Sequence, residues 1–374
     1  MEQLKKFLAL ALISAAGVYA QSIDWNADSI AIRTEEQLRR LVTLVNSGNL
    51  ESENKTIILI NDIDLKNGQW KPLNFSGTFD GNNKVIRGVN INGYYDVVGF
   101  FERVNETAII KNLGLVVSVK NEFHETSGGF LRSLARLANV FESDMTGGLA
   151  GYNSGTIDNC YVFGSVFENT DHGFPYVGGL VGENYGRIIN CYAAANVDGR
   201  DDVGGLVGKN YGGIINCYAA ANVKGKENVG GLVGDNCGLV GENYGGIINC
   251  YAVANVKGRE NVGGLVGDNW ISGGSITNCY TISKVEGGNG KFAGTNCGNG
   301  KIINSYALEG TNAANDLFVD KNSGEISSSG LKTAAQMKQQ STYNDWDFEN
   351  VWAIKPDKNN GFPYFIPKEE RSKK

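Results

Sequence analysis

Residues that could support acid–base or metal chemistry are scarce in this chain. There are only two histidines, His124 and His172, too few for a histidine-built metal site or for most catalytic triads. His124-Glu125 has no second histidine four residues after His124, so the zinc-peptidase pattern His-Glu-x-x-His is absent. Neither a Gly-x-Ser-x-Gly nor a P-loop occurs. The sequence therefore predicts no catalytic residue, no metal site and no cofactor.

Carboxylates offer an alternative interpretation. Asp62, Asp64 and Asp80 are the only ones in motif-like settings, and β-helical polysaccharide lyases and hydrolases use clustered carboxylates. The spacing does not show that these three converge, and aspartates in turns commonly accept hydrogen bonds from backbone N–H groups. The chain contains several copies of a repeat, but the repeat fits calcium binding poorly. The position that would supply an acidic ligand holds different residue types in different copies. The residues there are Glu183, Lys209, Asp235 and Asp268.

Aromatic side chains recur at two fixed positions of a repeat. One set follows an Asn-Cys or Asn-Ser pair: Tyr161, Tyr192, Tyr218, Tyr251, Tyr280 and Tyr306. The other set lies in a turn: Tyr185, Tyr211, Tyr244 and Trp270. Either set could stack on itself to protect the sheet or could bind sugar rings or a protein. Turn side chains have fewer neighbours, so we expect the turn set to protrude more and to be the ligand-binding residues.

The cysteines follow the same repeat. Five of the seven share one inward position: Cys160, Cys191, Cys217, Cys250 and Cys279. Parallel stacking keeps their Cβ atoms farther apart than a disulfide prefers, which favours a buried column of free thiols acting as small apolar groups. Cys237 and Cys297 instead take the turn position, where we expect more exposure and reactivity.

The repeat predicts the architecture. The motif Gly-Gly-Leu-Val-Gly starts at Gly178, Gly204 and Gly230, 26 residues apart each time, and the stretch Ile214–Val223 alternates apolar and mixed residues with period two. A fixed period of this length means stacked copies of one unit, and alternation at period two indicates strands. The predicted fold is an all-β, right-handed parallel β-helix, in which Ile215 and Cys217 share the inward face.

The segments around the repeats predict caps. Residues 1–20 have the basic start, apolar core and small residues of a signal peptide. Residues 21–54 form an N-terminal cap whose helix starts at Thr34. The β-helix spans 55–325 with a helical insertion at 121–146, and 326–374 form an aromatic C-terminal cap over the last coil, followed by a charged tail.

The composition limits the classes of partner that the chain is expected to bind. The net charge is −6, which argues against a nucleic acid, because binding to phosphate backbones requires basic surfaces. No run of 18 apolar residues follows the signal segment, so no membrane span is predicted.

The repeat unit Gly-Gly-Leu-Val-Gly-x-Asn-x-Gly-x-Ile-x-Asn-Cys-Tyr resembles the GLUG motif of bacterial surface proteins. The flanking segments Ile60–Leu65 and Trp346–Trp352 resemble those that surround such repeats. The resemblance implies an exported, adhesin-like protein with a β-helical stalk. It also implies similarity to the repeat region that precedes the catalytic domain of IgA-cleaving metallopeptidases, but their peptidase motif is missing here.

Together these features predict a monomeric, secreted or cell-surface bacterial protein that is not an enzyme. Its expected role is binding or adhesion through a repetitive β-helix surface, with an extracellular glycan or a host or matrix protein as partner. The alternative is a polysaccharide lyase or hydrolase on the same scaffold.

Overall fold

The protein is a stack of β-strand coils, as the repeat predicts. The computed structural model describes residues 23–122, 143–170, 173–237, 246–270, 274–287, 290–310 and 317–367. Its strands form a parallel β-solenoid of about 9 turns with few helices. Equivalent residues of successive coils are direct register partners, as Val177, Val203 and Val229 show. The predicted parallel stacking is therefore confirmed.

Within the described residues, the strands form two large sheets and one short hairpin. The first sheet contains Ser29–Ile32, Thr56–Leu59, Ile63–Asp64, Thr78–Gly93, Ile109–Glu122, Thr156–Asp158, Tyr161–Asn169, Arg187–Ile189, Tyr192–Asp198, Gly213–Ile215, Tyr218–Ala219, Asn222–Lys224, Gly246–Ile248, Tyr251–Ala252, Asn255–Lys257, Ser275–Thr277, Tyr280–Thr281, Lys284–Glu286, Lys301–Ile303, Tyr306–Leu308, Glu325–Ser327 and Gly330–Lys332. The second contains Leu73–Phe75, Val97–Val98, Phe101–Val104, Met145–Gly147, Ala150–Asn153, Tyr176–Gly178, Val181–Asn184, Val203–Gly204, Val207–Asn210, Glu227–Gly230, Val233–Asn236, Glu260–Gly263, Val266–Asn269, Gly290–Asn296 and Leu317–Asn322. Trp352–Ala353 and Tyr364–Phe365 pair antiparallel.

One coil consists of four or five short strands. In the first regular repeat, Tyr176–Gly178 and Val181–Asn184 belong to the second sheet, and Arg187–Ile189 and Tyr192–Asp198 belong to the first. Valine, leucine, isoleucine and alanine side chains from both sheets meet in one continuous buried core. The 26-residue period is thus the length of one complete circuit around this core.

A left-handed corner changes the inward phase within each coil. Asn190, Asn216 and Asn249 have φ of 54°, 54° and 52°, a region that asparagine tolerates better than most residues. Ile214, which precedes the corner, is fully buried, whereas Ile215 is half-buried. The prediction that Ile215 points inward is therefore wrong. Strict alternation fails because the corner residue interrupts the pleat.

The inward cysteine column is confirmed, and its thiols do more than fill space. All seven cysteines are free, and the five of the column are buried. The thiol of each coil accepts a hydrogen bond from a backbone N–H of the coil before it, as Cys191 N donates to Cys217 Sγ at 3.3 Å. Ser305 Oγ accepts the equivalent bond from Cys279 N at 3.1 Å. The thiols therefore satisfy buried backbone donors at the corner.

Replacing one of these thiols tests that role. We expect Cys217→Ala to lower the free energy of unfolding by about 2 kcal/mol, because the Cys191 N–H loses its acceptor. Cys217→Ser should cost no more than about 1 kcal/mol, because a hydroxyl already takes this position at Ser305. Urea unfolding of both variants measures the difference, and equal losses would reduce the thiol to a space-filling group.

The solenoid begins before the N-terminal helix. Ser29–Ile32 pairs in parallel with Thr56–Leu59, so a first strand precedes residue 55, where the repeat pattern had placed the start. The helix Glu35–Asn46 begins as predicted after Thr34, whose Oγ1 accepts a hydrogen bond from Gln37 N at 3.3 Å. Its buried face packs into the core of the first coils. The residues of that face are Leu38, Leu41 and Val42.

The C-terminal aromatic residues form a cluster along the side of the solenoid. Trp352 contacts the rings of Tyr251 and Tyr280, with centroids 6.1 and 5.9 Å apart, and Trp346 Nε1 donates to Asn304 O at 2.9 Å. The aromatic cluster is confirmed, but it covers the Tyr251–Tyr306 end of the tyrosine column rather than the last coil alone. The described helices here are short: Ala334–Met337, and the 3-10 turns Gln340–Thr342 and Asn359–Gly361.

Several predictions fall on residues outside the described ranges. These are the signal segment 1–20, most of the insertion 121–146 with His124, and also His172, Tyr244 and the end of the tail. Of the helices in the described part of the chain, none has the length and apolar character that crossing a bilayer requires.

Candidate ligand-binding face

A ladder of buried asparagines positions the turn aromatics. Asn184, Asn210 and Asn236 are fully buried, and the Nδ2 of each donates to the Oδ1 of the next asparagine, at 2.8 Å from Asn184 and 2.9 Å from Asn210. The same amide groups also bond the backbone of their own turns, as Asn210 Nδ2 does with Gly212 O at 2.8 Å. The residue after each asparagine is therefore held at a repeated position by the buried polar ladder.

The predicted four-residue turn column is only partly continuous. Tyr185 stacks on Tyr211 with ring centroids 4.6 Å apart. The next turn position belongs to Cys237, whose N–H donates to Asn210 O at 2.9 Å, and the one after it to Trp270. Tyr244, assigned to this column from the sequence, lies outside the described residues. The described column is thus a tyrosine pair and a tryptophan separated by a cysteine.

The turn aromatics are more exposed than most of the other tyrosine set, as expected. Tyr185 is 39% and Trp270 48% exposed, and Tyr211 is half-buried. Tyr251, Tyr280 and Tyr306 are buried beneath the C-terminal cluster. Among the described members of the two tyrosine sets, the turn aromatics and the first tyrosines of the other set therefore present ring surface to solvent.

A charged column runs beside the turn aromatics. Its residues precede the turn position by two and are register partners across coils: Glu183, Lys209, Asp235 and Asp268, with the uncharged Tyr152 at this position one coil earlier. They point away from the core, yet Glu183 and Asp235 are buried. We refer to this column, together with Tyr176, Tyr185, Tyr211 and Trp270, as the aromatic face.

Lys209 is the centre of the charges on this face. Its Nζ lies 3.0 Å from Asp235 Oδ2 and 3.5 Å from Asp202 Oδ2. The same Nζ is 4.8 Å from the centroid of the Tyr176 ring and 5.7 Å from that of Tyr211, within the range of cation–π attraction. Burial disfavours its charge, but Asp235 and Asp202 outweigh burial and raise the pKa of Lys209. Lys209 therefore remains a cation.

Burial raises the pKa of two carboxyl groups at this surface, Glu183 on the aromatic face and Asp202 beside it. Burial raises the pKa of Glu183 to about 7, although Lys209 and Arg103 oppose the shift. Burial and then the Asp235 charge raise the pKa of Asp202 to about 7. These two groups are therefore partly protonated at neutral pH, and the charge of the face depends on pH in that range.

Cys237 is not the reactive thiol that its turn position suggested. Its Sγ donates to Asp235 Oδ2 at 3.1 Å. Burial and the Asp235 charge raise the pKa of Cys237 well above its usual range. A thiol that is mostly protonated is a poor nucleophile, so the geometry opposes the predicted reactivity.

The three motif-like aspartates accept hydrogen bonds from their own turns or from the next coil. Asp62 Oδ1 accepts from Val85 N at 2.9 Å, and this bond lowers the pKa of Asp62. Asp64 Oδ1 accepts from Lys66 N at 2.8 Å. Asp80 Oδ1 accepts hydrogen bonds from Asn82 N at 2.8 Å and Asn112 Nδ2 at 3.1 Å. Backbone and amide donors thus occupy these carboxylates, as the turn interpretation expects.

From the sequence alone, the charged column was considered only as a possible calcium-binding repeat, which it matches poorly. The sequence did not reveal the Lys209 network, because Asp202 comes from a different turn of the coil, seven residues before Lys209. The available signal was a lysine in place of an acidic residue at one coil, which indicates a partner charge nearby.

The raised pKa of Glu183 predicts a pH-dependent stability. The folded carboxyl titrates near 7 and the unfolded one near 4.5, so the folded state binds this proton more tightly. The contribution of Glu183 to the free energy of unfolding should therefore fall as pH rises from about 4.5 to 7. Glu183→Gln should remove this loss, and its stability relative to wild type should rise between pH 5 and pH 8 in urea titrations. A constant difference across that range would contradict the prediction.

Comparisons with known proteins agree with the repeat and the fold. The model of the GLUG motif matches residues 144–166, 175–198 and 199–224. A crystal structure of a "putative immunoglobulin A1 protease" from Bacteroides ovatus superposes with a TM-score of 0.54. The two chains are 21% identical, and the alignment covers 90% of this chain and 92% of that one. No curated protein sequence matches the chain. The chain thus carries GLUG repeats on a solenoid fold shared with the Bacteroides protein.

Proposed function

We propose that this GLUG-repeat solenoid is a secreted or cell-surface binding protein without catalytic activity, and that the aromatic face is its binding surface. Its partner is an extracellular glycan or a host or matrix protein. The observation that carries the proposal is the partial exposure of Tyr185 and Trp270 on turns anchored by the buried asparagine ladder. Rigid aromatic side chains give large contact area at a low cost in conformational entropy.

The charges of the face support binding rather than catalysis. Lys209, a candidate general base, is engaged by Asp202 and Asp235 and remains protonated. A lysine acts as a general base or as a nucleophile only as the neutral amine, whereas the Lys209 ammonium is held by the two carboxylates and lies over the Tyr176 and Tyr211 rings. The cluster therefore stabilises the shape of the surface.

The Bacteroides ovatus protein is named as a protease, and its likeness to this chain is one of fold. The 374 residues contain no His-Glu-x-x-His. We propose that the two proteins share a scaffold and not a peptidase reaction. Export rests on the signal-like residues 1–20, which have a basic start and an apolar core.

A triple substitution tests the binding surface. We expect Tyr185→Ala, Tyr211→Ala and Trp270→Ala together to weaken binding to the best ligand by more than tenfold, and each single change to cost about 1 kcal/mol or less. The measurement is binding to immobilised glycans and purified matrix proteins, followed by titration of the best ligand.

Phe163→Ala is the matched control, because Phe163 is 40% exposed but lies beside the other tyrosine column. It should leave the affinity unchanged. Wild-type affinity in a folded triple variant would move the binding site elsewhere. Cleavage of a bound polysaccharide by the wild type would replace this proposal with the lyase or hydrolase alternative.

A further inference from the structure

The aromatic face does not stop at Tyr152 but continues toward the N-terminal end of the solenoid. Tyr152 is the register partner of Arg103, and Arg103 is the partner of Asn74. Arg103 also covers the Tyr152 ring, with Cζ 4.9 Å from the centroid. Beyond this pair the face meets the end of the helix Glu35–Asn46 and the loop that follows it.

A cavity of about 670 Å³ lies at this junction. Its walls include Val45 from the helix end, Pro72, Tyr95, and the face residues Asn74 and Asn105. Small-molecule sites have volumes of roughly 300–1,000 Å³. The solenoid face therefore opens into a concave end large enough for one or two sugar rings.

Hydrogen bonds hold the walls of this cavity in place. Asn46 Nδ2 donates to Pro72 O at 2.8 Å and fastens the helix end to the adjacent loop. Ser52 Oγ accepts a hydrogen bond from Ser76 N at 3.0 Å and fastens the following loop to the solenoid. Asn121 bonds the backbone of Tyr95 on both sides, at 2.9 Å each. The cavity is thus formed before any ligand arrives.

The amides of the cavity are oriented for hydroxyl groups. Asn105 Nδ2 donates to Asn74 Oδ1 at 2.9 Å and to Ser76 Oγ at 2.7 Å. These bonds use both amide protons of Asn105, and they direct the Asn105 Oδ1 acceptor and the Asn74 Nδ2 donor to other partners. An acceptor and a donor in a cavity that the Tyr95 ring also lines match the hydroxyl groups and the apolar face of a sugar.

The charge of the cavity selects against acidic ligands. Glu51, Glu53 and Glu102 line it together with a single cation, Lys71. The helix contributes its C-terminal end, which carries partial negative charge, and has no basic residue in its last turn. A carboxylate-bearing sugar would meet net repulsion, whereas a neutral sugar supplies only hydroxyl groups.

We propose that this cavity is a binding subsite for the terminal residue of a neutral oligosaccharide whose remaining units lie along the aromatic face. The inference rests on the proposed function and commits it to a glycan partner. The helix end closes the cavity on one side, so the subsite recognises a chain end, and the face beyond Tyr152 contacts the later units.

Titration of wild type and variants with oligosaccharides of two lengths tests the subsite. The probes are cello-, manno- and xylo-oligosaccharides of two and six units, with oligogalacturonides of the same lengths as acidic counterparts. We expect a neutral series to bind and the acidic series not to bind. Asn74→Ala with Asn105→Ala should weaken both lengths by roughly tenfold, the effect of losing one or two ligand hydrogen bonds.

Two control variants separate the subsite from the face. Asn222→Ala removes an exposed inter-coil amide elsewhere on the solenoid, where Asn222 Nδ2 bonds Asn196 Oδ1 at 2.8 Å, and it should not change the affinity. Tyr185→Ala with Tyr211→Ala should weaken only the six-unit ligand.

The inference is overturned if the cavity variant binds the two-unit ligand like wild type, or if oligogalacturonides bind as tightly as neutral chains. If no neutral oligosaccharide binds but a protein ligand still depends on the turn aromatics, the subsite is wrong and the proposed binding function stands.

Discussion

Gly204→Ala should prevent the solenoid from folding stably, with a loss of about 4 kcal/mol or more in the free energy of unfolding. A Cβ on Gly204 would lie 1.9 Å from Val207 O and 2.8 Å from Gly234 N, and backbone atoms of two coils cannot both move away. The first glycine of the neighbouring repeats meets the same obstacle, since a Cβ on Gly178 would lie 1.9 Å from Val181 O. Far-ultraviolet circular dichroism and urea titration measure the effect.

Gly246→Ala is the matched control for this substitution. Its nearest obstacle is a side-chain atom, Ser275 Oγ at 2.8 Å, and Arg187 and Ser275 occupy the equivalent position of other coils. We expect a change within about 1 kcal/mol, because a hydroxyl can rotate away. Equal stability of the two variants would mean that the motif glycines are not required by close backbone approach.

Trp352→Ala should release the C-terminal segment from the side of the solenoid and cost about 3–5 kcal/mol. Trp352 is fully buried and lies 4.6 Å from the ring centroids of both Trp346 and Phe365. Limited trypsin digestion should then cleave near Lys338 and Lys355 while the coils remain protected.

The tryptophan control is Trp270→Ala, because Trp270 is 48% exposed. This variant should have the same unfolding midpoint and the same protease pattern as wild type. A Trp352→Ala variant whose tail stays protected would show that the remaining aromatic contacts, such as Tyr343 on Trp346 at 4.5 Å, suffice to hold the segment.

Much of the architecture follows from local pattern. The 26-residue spacing of identical motifs predicts stacked coils, because a strand that repeats can pair with its own copies in register. Thr34 with Gln37 marks the helix start, because a hydroxyl at that position satisfies a free N–H. The inward cysteine column is also readable, since five cysteines share one position in the repeat.

Which isoleucine side chains enter the core, and which tyrosine rings are buried by other residues, depends on the tertiary structure. Ile214 rather than Ile215 enters the core because a left-handed asparagine turns the chain between the strand and Cys217. Tyr280 is fully buried because Trp352, 72 residues further along the chain, packs on it, a contact with no local signature.

The sequence by itself determined the coil, its length and the inward positions after each corner, because those depend on residues that repeat with the chain. Only the tertiary structure decided which charges and which cavity lie beside the turn aromatics that the sequence predicted. Lys209 meets Asp235 from the next coil and Asp202 from the preceding turn, and the cavity at Tyr95 forms where a helix end meets the solenoid face. Such groupings join residues that differ from one repeat to the next, so periodicity carries no information about them.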